Sequence, residues 1–389
     1  MKQNWEYKKL GDVCVSELGK TLNQSKDTGS LRPYLCAVNV QWDSLDFTTL
    51  KQARFEEDEL ERYSVQKNDL LVCEGGDVGR AAIWNQEKPM LYQNALHRLR
   101  FSNNCNPRFY LFCLKHLKNK GVLDSRYAKG VTIKHLVKSA LLSIQVPILP
   151  LEEQSRIVAE LDLLTGIIDK QNAQFKELDN LAQAIFYDMF GDPIENPKRW
   201  EVKKLGDVST SVSYGTSSPS TTVGKYKYLR MNNITYEGFL DLTDLKYIDM
   251  DDAEFEKYSV REGDVLFNRT NSMDLIGKTT YIHNMEPMII AGYIIRVRLV
   301  DSVLPVYVSK FMNMPAMKKK LKGMAKGAVN QANINSKELK SIDIPVPPLA
   351  LQQSFAEKIQ SIEKQKVAIR ASIADTQKLL DYTMDKYFG

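Results

Sequence analysis

The chain has 389 residues, of which 43% are hydrophobic and 26% are charged, and its formal net charge is +5. This length is enough for about two or three domains with separate cores, and no apolar run approaches the ~18 residues that cross a bilayer. The first ten residues lack the apolar core of a signal peptide, so we expect a cytoplasmic protein without a membrane partner.

Residues 1–150 are expected to form a globular part of mixed α/β structure. Runs such as DLLVCE, RAAIW and ALHRLRF are rich in aliphatic residues and favour strands, whereas residues 107–120 have helical spacing. The glycine-rich EGGDVGR at 74–80 could be a turn or a phosphate-binding loop. We interpret it as a turn, because its counterpart in the second half, NRTNSMDLIGK at 268–278, lacks most of those glycines.

A basic run follows at residues 115–138 and contains a single acid, Asp124. Such a run is either a solvated face or a set of phosphate contacts, which position a protein on DNA without reading its sequence. A similar run in the second half favours phosphate contact. The basic residues of the first run are Lys115, Lys118, Lys120, Arg126, Lys129, Lys134 and Lys138.

Residues 151–190 have the 4-3 alternation of apolar residues that is typical of a coiled-coil seam. About forty helical residues would extend for about 60 Å, which is longer than one domain requires. The seam positions are Ile157, Leu161, Leu164, Ile168, Gln171, Phe175, Leu178, Ala182 and Ile185.

The rest of the chain repeats this order of elements. The stretch RYSVQKNDLL at 62–71 recurs as KYSVREGDVL at 257–266, and SIQVPILPLEEQ at 143–154 recurs as SIDIPVPPLALQ at 341–352. A duplicated pair of domains explains these matches, and the glycine and two prolines of the junction at 188–200 suit a linker. We expect four segments: a globular part at 1–150, a central long helix at 151–190, a second globular part at 191–348 and a C-terminal long helix at 349–389.

The second seam has three polar interruptions, and two arrangements could bury it. Each long helix could pack on its own globular part, or the two helices could pack on each other. Two seams of equal length and phase favour the second arrangement, which a pseudo-twofold axis would make antiparallel, with Gln171, Lys366 and Thr376 fixing the register. The second seam consists of Phe355, Ile359, Ile362, Lys366, Ile369, Ile373, Thr376, Leu380 and Thr383.

The second half also carries side chains that suit base recognition. Arg and Asn can make bidentate contacts to base edges, and the aligned positions in the first half differ: Cys36 replaces Arg230, and Glu74 replaces Arg269. At a third position Val38 replaces Asn232. The candidate readers are Arg230, Asn232, Asn233, Arg269, Asn271, Asn330 and Gln331, and the accompanying basic candidates are Arg80, Lys278, Lys318, Lys319, Lys320, Lys322 and Lys326.

The sequence offers no candidate catalytic site. It contains no phosphate loop, dinucleotide-binding glycine motif or nucleophile elbow, and no Asp/Asn-Pro-Pro-aromatic stretch of the kind that a DNA amino-methyltransferase needs. The five cysteines form no CxxC pair and the four histidines have no metal-ligand spacing. We therefore predict no enzyme, no metal and no cofactor in this chain.

The combination of motifs resembles the specificity subunit of type I restriction-modification systems. The resemblance rests on the W-x-x-K-K-L-G-D-V openings at 5–13 and 200–208, the YSVxxxD[VL]L stretches, NRTNSMDLIGK, the boundaries QVPILPLEEQ and PVPPLALQQ, and AIFYDMFGDP after the first seam. It covers essentially the entire chain.

The resemblance implies a non-catalytic subunit that binds double-stranded DNA. Residues 1–150 and 191–348 would be target-recognition domains that each read half of a split, asymmetric sequence, and the antiparallel helices would set the unread gap. The helices would also dock two methyltransferase subunits that use S-adenosylmethionine, and restriction subunits using ATP and Mg²⁺ would complete the complex.

Two other functions are compatible with parts of the sequence. A coiled-coil scaffold with protein-binding globular ends would have the same seams but no affinity for DNA. An unrecognised nuclease could be assembled from scattered Asp, Glu and Lys residues, and would cleave DNA as the purified chain with a metal ion.

Overall fold

The computed structural model describes residues 5–23, 25–130, 134–325 and 332–389. The chain divides into two compact units, one of Met1–Lys170 with Ser372–Gly389 and one of Gln171–Ala371. Each unit therefore contains one globular part and a portion of each long helix. Within the described ranges, no helix is long and apolar enough to cross a membrane.

In its described residues, the first globular part contains twelve short strands and three α-helices before the first long helix. The strands are β1 (Glu6–Lys9), β2 (Cys14–Leu18), β3 (Ser30–Leu35), β4 (Val40–Gln41), β5 (Ser44–Leu45), β6 (Lys51–Phe55), β7 (Ser64–Val65), β8 (Leu70–Cys73), β9 (Ala81–Ile83), β10 (Met90–Tyr92), β11 (Leu96–Phe101) and β12 (Gln145–Ile148). The helices are α1 (Glu59–Arg62), α2 (Pro107–Asn119), α3 (Lys138–Leu142) and the long α4 (Leu151–Phe190).

Two four-stranded sheets build this part, in the orders β2-β11-β8-β9 and β6-β3-β10-β7, and β1 pairs with β12. All four residues of β8 are buried, as expected for a central strand covered on both faces. Helix α2 starts at Pro107, whose missing amide proton costs nothing there, and the Asn106 side chain caps it by accepting from the Arg108 amide at 3.0 Å.

The second unit has the following elements. Its strands are β13 (Glu201–Lys204), β14 (Ser209–Tyr214), β15 (Tyr226–Leu229), β16 (Lys246–Ile248), β17 (Val265–Asn268), β18 (Thr270–Asn271), β19 (Thr279–Tyr281), β20 (Ile289–Ile290), β21 (Ile294–Leu299), β22 (Ala332–Asn333) and β23 (Asp343–Val346). Its helices are α5 (Asp252–Tyr258), α6 (Pro305–Asn313), α7 (Pro315–Met324), α8 (Ser336–Lys340) and the long α9 (Leu349–Phe388), which it shares with the first unit.

The sheets of the second unit repeat those of the first. The order β14-β21-β17-β19 corresponds to β2-β11-β8-β9, β16-β15-β20 corresponds to β6-β3-β10, and β13 pairs with β23 as β1 pairs with β12. This repetition confirms the prediction of a duplicated, mixed α/β fold.

The repeated ten-residue stretch contributes buried side chains at matching positions in both units. Val65 and Val260 are fully buried. Asp69 accepts hydrogen bonds from the Arg100 guanidinium at 2.7 and 2.8 Å, and its counterpart Asp264 accepts one from Arg298 at 2.9 Å. The stretch therefore fixes a turn and a strand in the same way in both units.

The long helices bury the predicted seams. The buried seam side chains are Ile157, Leu161, Leu164, Ala182, Phe355, Ile359, Ile362, Lys366, Leu380 and Thr383, and the half-buried ones are Ile168, Gln171, Phe175, Leu178, Ile185, Ile369, Ile373 and Thr376. None of these positions is exposed.

Within each unit the two helices run antiparallel. In the second unit, the ring of Phe355 lies 5.7 Å from that of Phe186, and Lys366 pairs with Asp179. Residues later in α9 therefore contact residues earlier in α4. In the first unit, Tyr387 donates a hydrogen bond to Glu160 at 2.6 Å.

The helices also pack on the globular parts, so the two arrangements considered from the sequence both occur. Phe186 and Phe355 share one core with Phe311 of α6. Gln154, which is buried, accepts from the Asn106 amide at 2.8 Å, and Gln352 makes the equivalent bond to the Leu304 amide. These buried amides tie the start of each long helix to the globular part that precedes it.

Candidate nucleic-acid interface

Both units contain a short 3-10 turn, Ala37–Asn39 and Met231–Asn233, that presents the first divergent side chains. Asn39 and Asn233 are buried, and each accepts from the amide three residues earlier at 2.9 Å. The Asn233 amide group also donates to the Asp241 and Asp244 carbonyls. The Asn233 side chain is therefore buried in the turn and is not positioned to contact DNA. Its neighbour Asn232 is exposed.

A basic side chain holds this turn in each unit. Arg80 donates to the Ala37 carbonyl at 2.6 Å, and Lys278 donates to the Met231 and Ile234 carbonyls at 3.1 and 2.8 Å. Burial lowers the pKa of Lys278. Both candidates position the turn. Lys278 is buried and does not present its charge to solvent as a phosphate contact would, whereas Arg80 is half-buried.

The loop after the central strand presents the second divergent position. Glu74 donates its amide to the Ala95 carbonyl at 2.9 Å and accepts from the Leu136 amide at 2.7 Å. Arg269 makes the same two backbone bonds, to Tyr293 at 3.0 Å and from Ile334 at 2.9 Å. The two side chains therefore leave equivalent backbone positions with opposite charges. We call these two positions the reader positions.

A groove of about 760 Å³ in the second unit brings several candidate readers together. Arg230, Asn232 and Arg269 line it, along with Tyr228 and Tyr293. An open groove lined by two arginines and an amide has the donors and acceptors that base edges require.

The two arginines of the groove have different interaction partners. Arg230 pairs with Asp244 at 2.7 Å, which holds the pKa of that carboxyl below its ordinary value. Arg269 lies over the Tyr214 ring, with its guanidinium carbon 5.0 Å from the ring centre, and also hydrogen-bonds to the Tyr214 side chain. The tyrosine thus holds the guanidinium in place. Asn271 is half-buried and pairs through its backbone with Ala332.

The groove also contains aromatic residues that the sequence motifs do not single out. Tyr293 is 51% exposed and takes the place of Ala95 in the first unit, beside the reader position. The difference between these aligned residues was a signal available in the sequence.

Acidic partners occupy much of the first basic run. Lys118 pairs with Asp77 and Asp124 at 2.8 and 2.9 Å, and Lys120 pairs with Asp385 at 2.7 Å. Lys134 donates to the Asp124 carbonyl, and Lys115 is half-buried. Arg126 and Lys129 are exposed, so they are the members best placed for phosphate contact.

The second basic run is divided in the same way. Lys318 is 5% exposed and donates to the Gly277 carbonyl at 2.8 Å, and burial lowers its pKa to about 7. Lys322 pairs with Asp274 at 3.0 Å. Lys319 is exposed and Lys320 half-buried, whereas Lys326, Asn330 and Gln331 lie outside the described residues.

No group of three or more His, Cys, Asp or Glu side chains in the described ranges could hold a metal ion. A duplicated scaffold that keeps its interior and varies its exposed polar side chains is typical of a recognition protein. The family model of the type I restriction modification DNA specificity domain matches residues 2–179 and 197–376. The chain belongs to this family, and it is a DNA specificity subunit, a non-catalytic recognition subunit, of a type I restriction-modification system.

Curated relatives agree with this assignment. The type I restriction enzyme EcoKI specificity subunit of Escherichia coli (strain K12) is 23% identical over 254 residues, which are 61% of this chain and 54% of the relative. The putative type I restriction enzyme MjaX specificity subunit of Methanocaldococcus jannaschii is 24% identical over 397 residues, covering 93% of this chain and 87% of the relative. The match thus spans about half of the first relative and most of the second.

Solved structures show the same fold at low identity. The S subunit of a type I restriction-modification system from M. genitalium has a TM-score of 0.57 at 14% identity, covering 99% of this chain and 96% of that one. A chain from a study of complex assembly and conformational transition of the type I R-M system has a TM-score of 0.56 at 18% identity, with coverages of 99% and 97%.

Proposed function

We propose that residues 1–150 and 191–348 are two target-recognition domains that each read one half of a split, asymmetric sequence in double-stranded DNA. The long helices at 151–190 and 349–389 set the gap between the half-sites. The observation that carries this proposal is the pair of reader positions, which have the same backbone hydrogen bonds but carry Glu74 in one unit and Arg269 in the other.

A shared frame with different readers is what bipartite recognition requires. The turn held by Asn39 or Asn233 and the first residue after the central strand have the same backbone hydrogen bonds in both units, so each domain can meet DNA in the same orientation. Because the side chains on these elements differ, the bases that they select must differ too. An asymmetric target follows from this difference.

Basic side chains in both units are suited to the phosphate backbone. Lys129 exchanges two backbone hydrogen bonds with His135, and His135 forms a bridge with Gly75, next to Glu74. In the second unit, Lys319 and Lys320 lie on α7. Cations of this kind supply affinity that depends on salt and not on sequence.

The long helices also offer surfaces for partner subunits. In the first unit, Leu163, Leu379 and Tyr382 are 66%, 51% and 69% exposed, and in the second unit Leu181 and Val367 are 47% and 65% exposed. Large apolar side chains on the outer faces of helices that already bury their seams suit a protein partner. We assign these faces to two methyltransferase subunits, with restriction subunits completing the complex in the cytoplasm. S-adenosylmethionine, ATP and Mg²⁺ would be bound by those partners.

Mapping of methylated adenines in host DNA tests the proposed function. We expect one split, asymmetric motif to be methylated in cells that carry the gene and unmethylated in cells that lack it. In a matched strain, both Arg269 and Asn232 are changed to Ala. Methylation there should still require the first half-site but should no longer require the second. If no methylated motif depended on the gene, the proposal would be wrong.

A further inference from the structure

The two reader positions differ in charge but not in backbone. Glu74 and Arg269 each follow the central strand of their sheet directly, and their amide and carbonyl groups have equivalent partners at distances between 2.7 and 3.0 Å. The side chains at the two positions therefore leave the shared backbone at equivalent places and approach a ligand in the same way. An acceptor in one unit and a donor in the other must select ligands of opposite hydrogen-bonding character.

The Glu74 carboxylate is available as an acceptor. Its side chain is 19% exposed, and its oxygens lie 3.8 Å from His97 Nε2 and 3.9 Å from His135 Nδ1, beyond hydrogen-bonding distance. His97 Nε2 lies 2.9 Å from the Leu136 carbonyl and donates to it. Burial lowers the pKa of His97, so that ring is neutral at pH 7 and does not neutralise the carboxylate.

A half-buried carboxylate with no hydrogen-bond donor in the described part of the chain is left to accept hydrogen bonds from water or from a ligand. The neighbouring acid of the same loop is satisfied differently, since Asp77 accepts from Trp42 Nε1 at 3.2 Å and pairs with Lys118. The distinction separates Glu74 from the structural acids around it.

We propose that Glu74 selects cytosine by accepting a hydrogen bond from the N4 amino group, and that Arg269 selects guanine at the equivalent place in the other half-site. Both half-sites then contain a G·C pair under the reader position, but the pair is inverted with respect to the protein. This inference rests on the proposed function and adds the identity of one base pair in each half-site.

The major-groove edges of the bases explain the choice. Cytosine presents only an amino donor, guanine presents two acceptors, and adenine presents an acceptor beside its amino group. A carboxylate is attracted by the cytosine amine and repelled by the N7 acceptor of adenine and by both acceptors of guanine. The Arg269 guanidinium, with its outer N–H groups free of any described carboxylate, matches the two guanine acceptors.

The inference is tested by selecting bound sequences from a pool of duplexes randomised at both half-sites, using the full chain in complex with its methyltransferase subunits. We expect the wild-type complex to select a cytosine in the first half-site. Glu74→Gln, which keeps the size of the side chain, should shift that position towards adenine, since Gln pairs with its N6 and N7. Glu74→Arg should change the preferred base at that position from cytosine to guanine.

The expected loss of preference is about 5-fold to 140-fold, because one good base contact discriminates by about 1–3 kcal/mol and about 1.4 kcal/mol corresponds to a factor of ten. Glu87→Gln is the matched control: it removes the same charge from an exposed residue that pairs with Lys67, and we expect no change in either half-site. The second half-site should stay the same in all three variants.

The outcomes separate this inference from the proposed function. If the complex selects a bipartite sequence that neither Glu74 variant alters, the assignment of Glu74 is wrong while bipartite recognition stands. If Glu74→Gln and Glu87→Gln change the preference equally, a general charge effect replaces the specific contact. A complex that selects no sequence at all would contradict the proposed function itself.

Discussion

Lys366 and Asp179 offer a quantitative test of how the long helices are held in the second unit. The Lys366 side chain is 1% exposed and pairs with Asp179, whose side chain is 22% exposed. The ammonium also lies 4.4 Å from the centre of the Phe175 ring and 3.4 Å from that of Phe239. The pair therefore joins α4, α9 and the globular part of this unit.

Removing one partner of a buried ion pair costs about 3–5 kcal/mol, because the remaining charge is left without compensation. Asp179→Asn leaves an ammonium that cannot reach water, so we expect a loss of about 3 kcal/mol, moderated by the two aromatic faces. Lys366→Met keeps the apolar stem and leaves a carboxylate that is partly exposed and can hydrate. We expect a smaller loss, about 1–2 kcal/mol.

The double variant Lys366→Met with Asp179→Asn should be close to the wild type in stability, since an apolar replacement of a buried pair is often neutral. Urea titration of the full chain, combined with hydrogen exchange of peptides from 171–190 and 349–371, measures these free energies. A Lys366→Met variant less stable than Asp179→Asn, or single losses that add in the double variant, would refute the reasoning.

Three further predictions follow from the burial of the candidate residues. Changing Lys319 and Lys320 together to Ala should weaken binding to all duplexes and reduce the slope of log K against log salt by about 2, at ~0.9 per phosphate, as measured by titrations at several salt concentrations; an unchanged slope would exclude them from the interface. Since the pKa of Lys318 is about 7 in the folded chain and ~10.4 in the unfolded one, the unfolded chain binds more protons between these values, and stability should rise with pH there. Lys318→Met should flatten that rise in urea titrations, whereas Lys319→Met should not. Asn233→Ala should lower the free energy of unfolding by about 1–3 kcal/mol, while Asn232→Ala should leave it unchanged and weaken selection in one half-site.

Periodicity and repetition were the parts of the structure that the sequence predicted best. The seams were recognisable because burial along a helix requires apolar residues at a regular spacing, which is visible in the sequence. The duplication was recognisable because both units share the same interior. Residue type could not reveal that each helix would bury its seam against both the other helix and a globular part. That outcome depends on how the elements meet in three dimensions.

The candidate site was less predictable, because a sequence shows charge and hydrogen-bonding capacity but not exposure. Lys318 and Lys278 have the composition of phosphate contacts, yet both are buried against backbone carbonyls. Asn233 could have been recognised as structural, since the first half has Asn39 at the aligned position and a reader should differ between the halves. Divergence between the copies was thus a better indicator of readers than residue type.

The central claim is that each half of the chain reads its own half-site, and Arg269→Ala tests it most directly. Bound sequences would be selected from randomised duplexes with the full complex, for the variant and the wild type. We predict that the variant loses preference at one position of a single half-site, at a cost of ~1–3 kcal/mol, while the other half-site is selected as before. An equal loss of preference in both half-sites would contradict the account.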